Sequence, residues 1–112
     1  MPDPDTAAPT DALLLCLDLQ TRFLPAMAAG ARTAQRCEFA LAAATRLGLP
    51  AAFTEQVPEK LGPTEAALRA AAPSAPVWAK STFSALGDAG IREELLERRE
   101  VGHLLLCGIE TP

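Results

Sequence analysis

The chain has 112 residues, enough for one domain around a single core, and 49% of it is hydrophobic although it holds only four Phe, one Trp and no Tyr. Its ten Lys and Arg are scattered and outnumbered by fourteen Asp and Glu, so a net charge of -4 argues against a face built to neutralise nucleic-acid phosphates. The apolar runs fall far short of the ~20 residues a membrane span requires, and Cys16, Cys37 and Cys107, odd in number and set among apolar neighbours, read as reduced core thiols of a cytoplasmic protein.

Residues 1–11, rich in Pro and Asp with neither a basic start nor an apolar stretch, read as a flexible leader, and residues 12–112 as the domain. Residues 13–18 are a short apolar run ending in Asp18, which favours a strand buried on both faces. Beyond Pro25 and Gly30, the apolar positions Ala34, Cys37, Leu41, Ala44 and Leu47 recur at helical steps, and Gly48 and Pro50 end that helix. Residues 51–54 form a second strand, a loop carries Pro58, Gly62 and Pro63, and residues 64–72 make a short helix. Pro73 and Pro76 bracket the next boundary, residues 77–79 give a third strand ending at Lys80, and residues 81–84 are a polar loop. Residues 88–99 read as an amphipathic helix with Ile91 and Leu95 inward and Glu94 facing Arg98. Gly102 breaks it, and residues 103–109 are a fourth strand, apolar almost throughout, as central parallel strands are.

Strands alternating with helices predict an α/β fold with a parallel sheet and right-handed crossovers, so the C-terminal ends of the strands share one rim. Asp18, Glu55, Gln56, Lys80, Gly108, Ile109 and Glu110 fall on that rim, where open sheets bind ligands. Taken locally, Asp18 can merely cap a turn and Lys80 can snorkel from a strand end. Glu55 and Gln56 either line a pocket or tie down a loop, Phe23 and Phe83 are either core or substrate wall, and Trp78 is core. His103, the sole histidine, begins a buried strand, and no cluster of ligating residues accompanies it, so neither metal nor cofactor is expected.

Leu17-Asp18-Leu19-Gln20 followed by Phe23 resembles the D-x-Q-x-x-F opening of the isochorismatase-like cysteine hydrolases, and Leu47-Gly48-Leu49-Pro50 resembles the turn before their second strand. Thr54-Glu55-Gln56 with Pro58, Leu61-Gly62 and Thr64 is similar to the isochorismatase-domain-containing branch, as are the lysine loop Lys80-Ser81-Thr82-Phe83-Ser84 and the run Leu106-Cys107-Gly108-Ile109-Glu110-Thr111. The resemblance implies a Rossmann-like three-layer sandwich of which the first four strands are present in the order 3-2-1-4. It implies hydrolysis of an amide or other acyl bond by an Asp-Lys-Cys triad, with Asp18 and Lys80 in the first two roles and Phe23, Glu55, Gln56, Phe83, Gly108, Ile109 and Glu110 around a small-molecule substrate. A lysine ammonium favours the reactive thiolate of a nearby cysteine, and an aspartate in reach can take and return its proton.

The family's nucleophile belongs just past Thr111, where the sequence stops at Pro112, and Cys16, Cys37 and Cys107 sit at core positions instead. The expectation is therefore a truncated, almost inert hydrolase domain whose fourth strand is left as an apolar edge, prone to self-association. The alternative is a non-catalytic small-molecule-binding or assembly module on the same fold. A receiver or flavodoxin-like domain would need an acidic cluster or a phosphate loop that the sequence lacks.

Overall fold

The computed structural model describes residues 12–22, 24–26, 28–82, 84–97 and 102–108. Its strands are β1 (Ala12–Leu17), β2 (Ala51–Gln56), β3 (Val77–Lys80) and β4 (His103–Gly108), all parallel and ordered β3-β2-β1-β4. Between them lie α1 (Gly30–Arg46), α2 (Pro58–Leu61), α3 (Ala66–Ala71) and α4 (Ala89–Glu97), with 3-10 turns at Leu24–Ala26 and Ala85–Gly87.

Strand order explains the layers. The chain steps in one direction from β1 to β3, then jumps back across β1 to place β4, and a crossover of constant hand must change faces when it reverses direction. α1 and α3 accordingly cover one face, where Leu14, Cys16, Leu19, Leu24, Cys37, Leu41, Ala44, Phe53, Leu68 and Ala72 form the larger core. α4 covers the other, where Ile91 and Ala85 meet Leu15, Leu17 and Ala52, with Trp78, Leu95 and Leu104 partly buried around them. The reversal falls between β1 and β4, so β1 ends at the topological switch point.

β1 is buried at all six positions, as its unbroken apolar run predicts, because helices cover both of its faces. Phe53 is fully enclosed, and burial of such a side chain stabilises by roughly 1.5–3 kcal/mol. α1 begins at Gly30, four residues ahead of its apolar stripe, because a Cβ there would collide with the backbone carbonyl of Leu24; only glycine admits that approach. The segment read as an irregular loop after β2 contains the turn α2, opened by Pro58 at its first position. α3 is shorter than its sequence pattern, since Thr64 instead bridges to Gln20.

Three burial expectations change. β4 has the unbroken apolar composition of a central strand yet takes the edge position that the expected order 3-2-1-4 gives it, so Leu105 and Leu106 are 47% and 45% exposed. His103, expected to start a buried strand, is exposed, and Trp78 and Cys107 are half-buried, because no element covers the outer side of β3 or β4 among the described residues. The expected Glu94–Arg98 pair lies outside the described residues, since Arg98 is not among them.

Candidate active site

Asp18 leaves the end of β1 in the left-handed region, φ 57, a conformation that Asp tolerates better than most residues. That turn swings its carboxylate toward β2, where a reciprocal clasp forms with Thr54. The Thr54 hydroxyl donates to Asp18 Oδ1 at 2.8 Å, and the Asp18 backbone N–H donates to Thr54 Oγ1 at 3.3 Å. The second carboxylate oxygen, Oδ2, accepts from Lys80 Nζ at 3.0 Å across the intervening strand. The side chains of Asp18 and Lys80 are 0% and 1% exposed, so this is a dry ion pair rather than a capping acid and a snorkelling lysine.

Lys80 Nζ also donates to Gln56 Oε1 at 2.6 Å and to the Thr82 carbonyl at 3.2 Å. Strand parity explains this set. Phe53 points to the α1 face, so Thr54 and Gln56 take the other, and register pairs Gln56 with Lys80 on it. Gln20, wholly buried, fastens the backbone of Gln56 from both sides: its Oε1 accepts from the Gln56 N–H at 2.7 Å, and its Nε2 donates to the Gln56 carbonyl at 3.0 Å and to that of Gly62 at 2.8 Å. The next residue, Val57, is forced to φ 37, which for a β-branched side chain stores about 1–3 kcal/mol, and it is pinned there by its N–H to the Lys80 carbonyl at 2.8 Å.

Glu55 lies on the opposite face and accepts from both the N–H and the hydroxyl of Thr64, at 2.6 and 2.8 Å. Of the two sequence readings, Glu55 ties down the loop and Gln56 holds the lysine. Gly108 ends β4 at φ 135, where a Cβ would collide with the carbonyl of Leu17, so β4 closes on β1 directly beside Asp18. Phe23, Phe83, Ile109 and Glu110 lie outside the described residues. An open hollow of about 250 Å³ reaches Lys80 between Val57, Pro58, Glu59, Ala79, Ser81 and Asp88. No group of three or more His, Cys, Asp or Glu able to hold a metal ion occurs among the described residues, and no helix among them is long and apolar enough to cross a membrane.

Sequence reasoning missed Thr54 and Gln20 as parts of the site. Both residues lie inside the motifs quoted for the family resemblance, Gln20 in D-x-Q-x-x-F and Thr54 beside Glu55, but neither was given a role there; the alternation of β2 about Phe53 was the available signal for Thr54. Chemically, a desolvated carboxylate held against an ammonium can accept a proton from an incoming acid while the cation faces developing negative charge.

The family profile for the isochorismatase domain matches residues 12–112. Isochorismatase domain-containing protein 2A of Mus musculus is 37% identical over 103 residues, covering 92% of this chain and 48% of that protein. Among solved structures, the MAR1 ribonuclease of Caenorhabditis elegans superposes with a TM-score of 0.79 at 29% identity, over 91% of this chain and 52% of that one. The YcaC gene product of Escherichia coli, described as an octameric hydrolase of unknown specificity, shares the fold with a TM-score of 0.78 at 19% identity, over 97% of this chain and 54% of that one. The chain thus spans about half the length of the curated relatives it matches.

Proposed function

The chain belongs to the isochorismatase-domain family, and we propose on that premise that Asp18 and Lys80 are the acid–base half of a cysteine hydrolase site for an amide or other acyl C–N or C–O bond. The observation that carries the reading is the buried 3.0 Å contact between Lys80 Nζ and Asp18 Oδ2 at the switch point of the sheet. A nucleophilic thiol from beyond Pro112 gives its proton to Asp18 and attacks the acyl carbon beside Lys80. The leaving group departs with that proton, and water cleaves the resulting thioester, restoring the thiol. A cytoplasmic setting suits the three free thiols.

The test is alkylation, by iodoacetamide, of the protein carried past Pro112 through its next cysteine. Labelling of that cysteine should slow about 10²-fold or more in Asp18→Asn, the scale of general acid–base assistance. Labelling indifferent to both Asp18→Asn and Lys80→Met overturns the mechanism.

A non-catalytic binding or assembly module is the competing reading, favoured by the placement of Cys16, Cys37 and Cys107 in the core on the α1 face, opposite the face that carries Gln56 and Lys80. An intact mass near 11.8 kDa for the product of the native gene would select it. RNA hydrolysis, suggested by the description of the C. elegans neighbour, is disfavoured by the net charge of -4. Copies of the chain pair through the half-exposed leucines of β4, a self-association that the open edge supports.

A further inference from the structure

The three cysteines, far apart in sequence, meet beneath the rim. Cys16 and Cys107 are directly paired in the β1–β4 register, both face α1, and their sulfurs are 3.2 Å apart. Adjacent strands lie ~4.8 Å apart, inside the ~4.4–6.8 Å Cα separation that a disulfide accepts. All three thiols are free. Cys37 reaches the same point from α1: the neighbouring Cys107 thiol, and then burial, push the Cys37 thiol well above its ordinary range. Cys107 itself is pushed up to about 12, chiefly by the hydrogen bond with Cys16 and less by burial, with Cys37 acting in the opposite sense.

Access is unequal. Cys16 and Cys37 are 1% and 4% exposed, whereas Cys107 is half-buried and borders an open hollow of about 570 Å³ lined also by Arg32, Thr33, Arg36, Cys37 and Gly108. Small molecules therefore reach the pair through Cys107.

We propose that Cys16 and Cys107 form a dithiol–disulfide site, in which hydrogen peroxide oxidises Cys107 and Cys16 then closes an intramolecular bond joining β1 to β4. In the first step the Cys107 thiolate attacks a peroxide oxygen, the O–O bond breaks, and Cys107 becomes a sulfenic acid as one water leaves. In the second the Cys16 sulfur attacks the Cys107 sulfur, the S–O bond breaks, and the Cys16 proton leaves with the hydroxyl as a second water. One hydrogen peroxide and two thiols give one disulfide and two waters. The sulfurs need to close by about 1 Å to reach a bond of ~2.05 Å.

Since the thiolate is the attacking species, thiols held protonated keep the pair reduced at neutral pH and confine its response to strong or sustained oxidant. The bond would sit one register step below Leu17 and Gly108, hence just under Asp18. Its formation does not depend on the hydrolytic reading, so the two proposals fail separately.

Oxidation of the 112-residue chain with excess hydrogen peroxide, trapping with iodoacetamide and peptide mass mapping provide the test. The expected product is a monomer lighter by two hydrogen atoms with Cys16 linked to Cys107, reversed by dithiothreitol, and formed at a rate still rising with pH past the ~8.5 of an ordinary thiol. Cys37→Ser should retain the linkage and Cys107→Ser should abolish it; if the latter fails to fold, mapping in the wild type and Cys37→Ser decides alone. Oxygen-atom addition at Cys107 without a link, a Cys37–Cys107 link, or only chain-to-chain disulfides would overturn the proposal.

Discussion

The two sides of β1 solve opposite problems. Toward β2 and β3 the sheet ends in a dry polar cluster, in which Asp18, Thr54, Gln56 and Lys80 are joined by hydrogen bonds of 2.6–3.0 Å and backed by Gln20. Toward β4 it ends in apolar side chains left half in water, with Leu105 and Leu106 at the edge and Leu96 75% exposed nearby. Burying charge without partners costs several kcal/mol, whereas exposing a leucine forgoes only its own transfer energy, so the first side tolerates no missing group and the second tolerates many. Stability and the proposed association are therefore assigned to different sides of one strand.

The contrast is tested most severely by Lys80→Met, which leaves Asp18 buried and unpaired. A loss of about 3–5 kcal/mol is expected in urea denaturation, and a loss below 1 kcal/mol, typical of a surface pair, would mean the rim is wet. Adding Asp18→Asn to Lys80→Met should recover much of that loss, because the orphan charge disappears. Thr54→Val removes one hydrogen bond to the carboxylate and should cost about 1.5–3 kcal/mol in the same assay.

The pH response of the thiol cluster is confined to alkaline conditions. The Cys107 thiol rises from an ordinary 9.0 to about 12 on folding, so between those values the unfolded chain binds fewer protons than the folded one. Stability from this group is complete below 9.0 and drains away as pH climbs toward about 12. The wild type should lose more stability than Cys107→Ser across that window, and equal slopes in denaturant titrations would remove the effect. Least in energy is Leu105→Lys, expected to shift stability by no more than about 0.5 kcal/mol while abolishing self-association in light scattering. Unchanged association would place the contact elsewhere than the β4 edge.

Much of the fold was legible because its signals are local. The apolar runs of β1 and β4, the helical spacing from Ala34 to Leu47 and the Gly and Pro stops placed every strand and both long helices within a few residues. The turn α2 was missed because four residues hold too little periodicity to register. Asp18 and Lys80 were singled out only through the motifs around them, since the local sequence equally allows a turn cap and a snorkelling lysine. Gln20 and Thr54 were not, because a neutral polar residue acquires a role only from the groups that folding brings against it.

By itself the sequence determined the alternation of elements, the parallel sheet and the family resemblance, all of which depend on residues near one another along the chain. Tertiary structure alone decided that Glu55 and Gln56 take opposite tasks, that Lys80 is dry and that three scattered cysteines converge. Each of those depends on which strand lies beside which and on which face a side chain emerges, and register and strand order are set by long-range packing that no local pattern encodes.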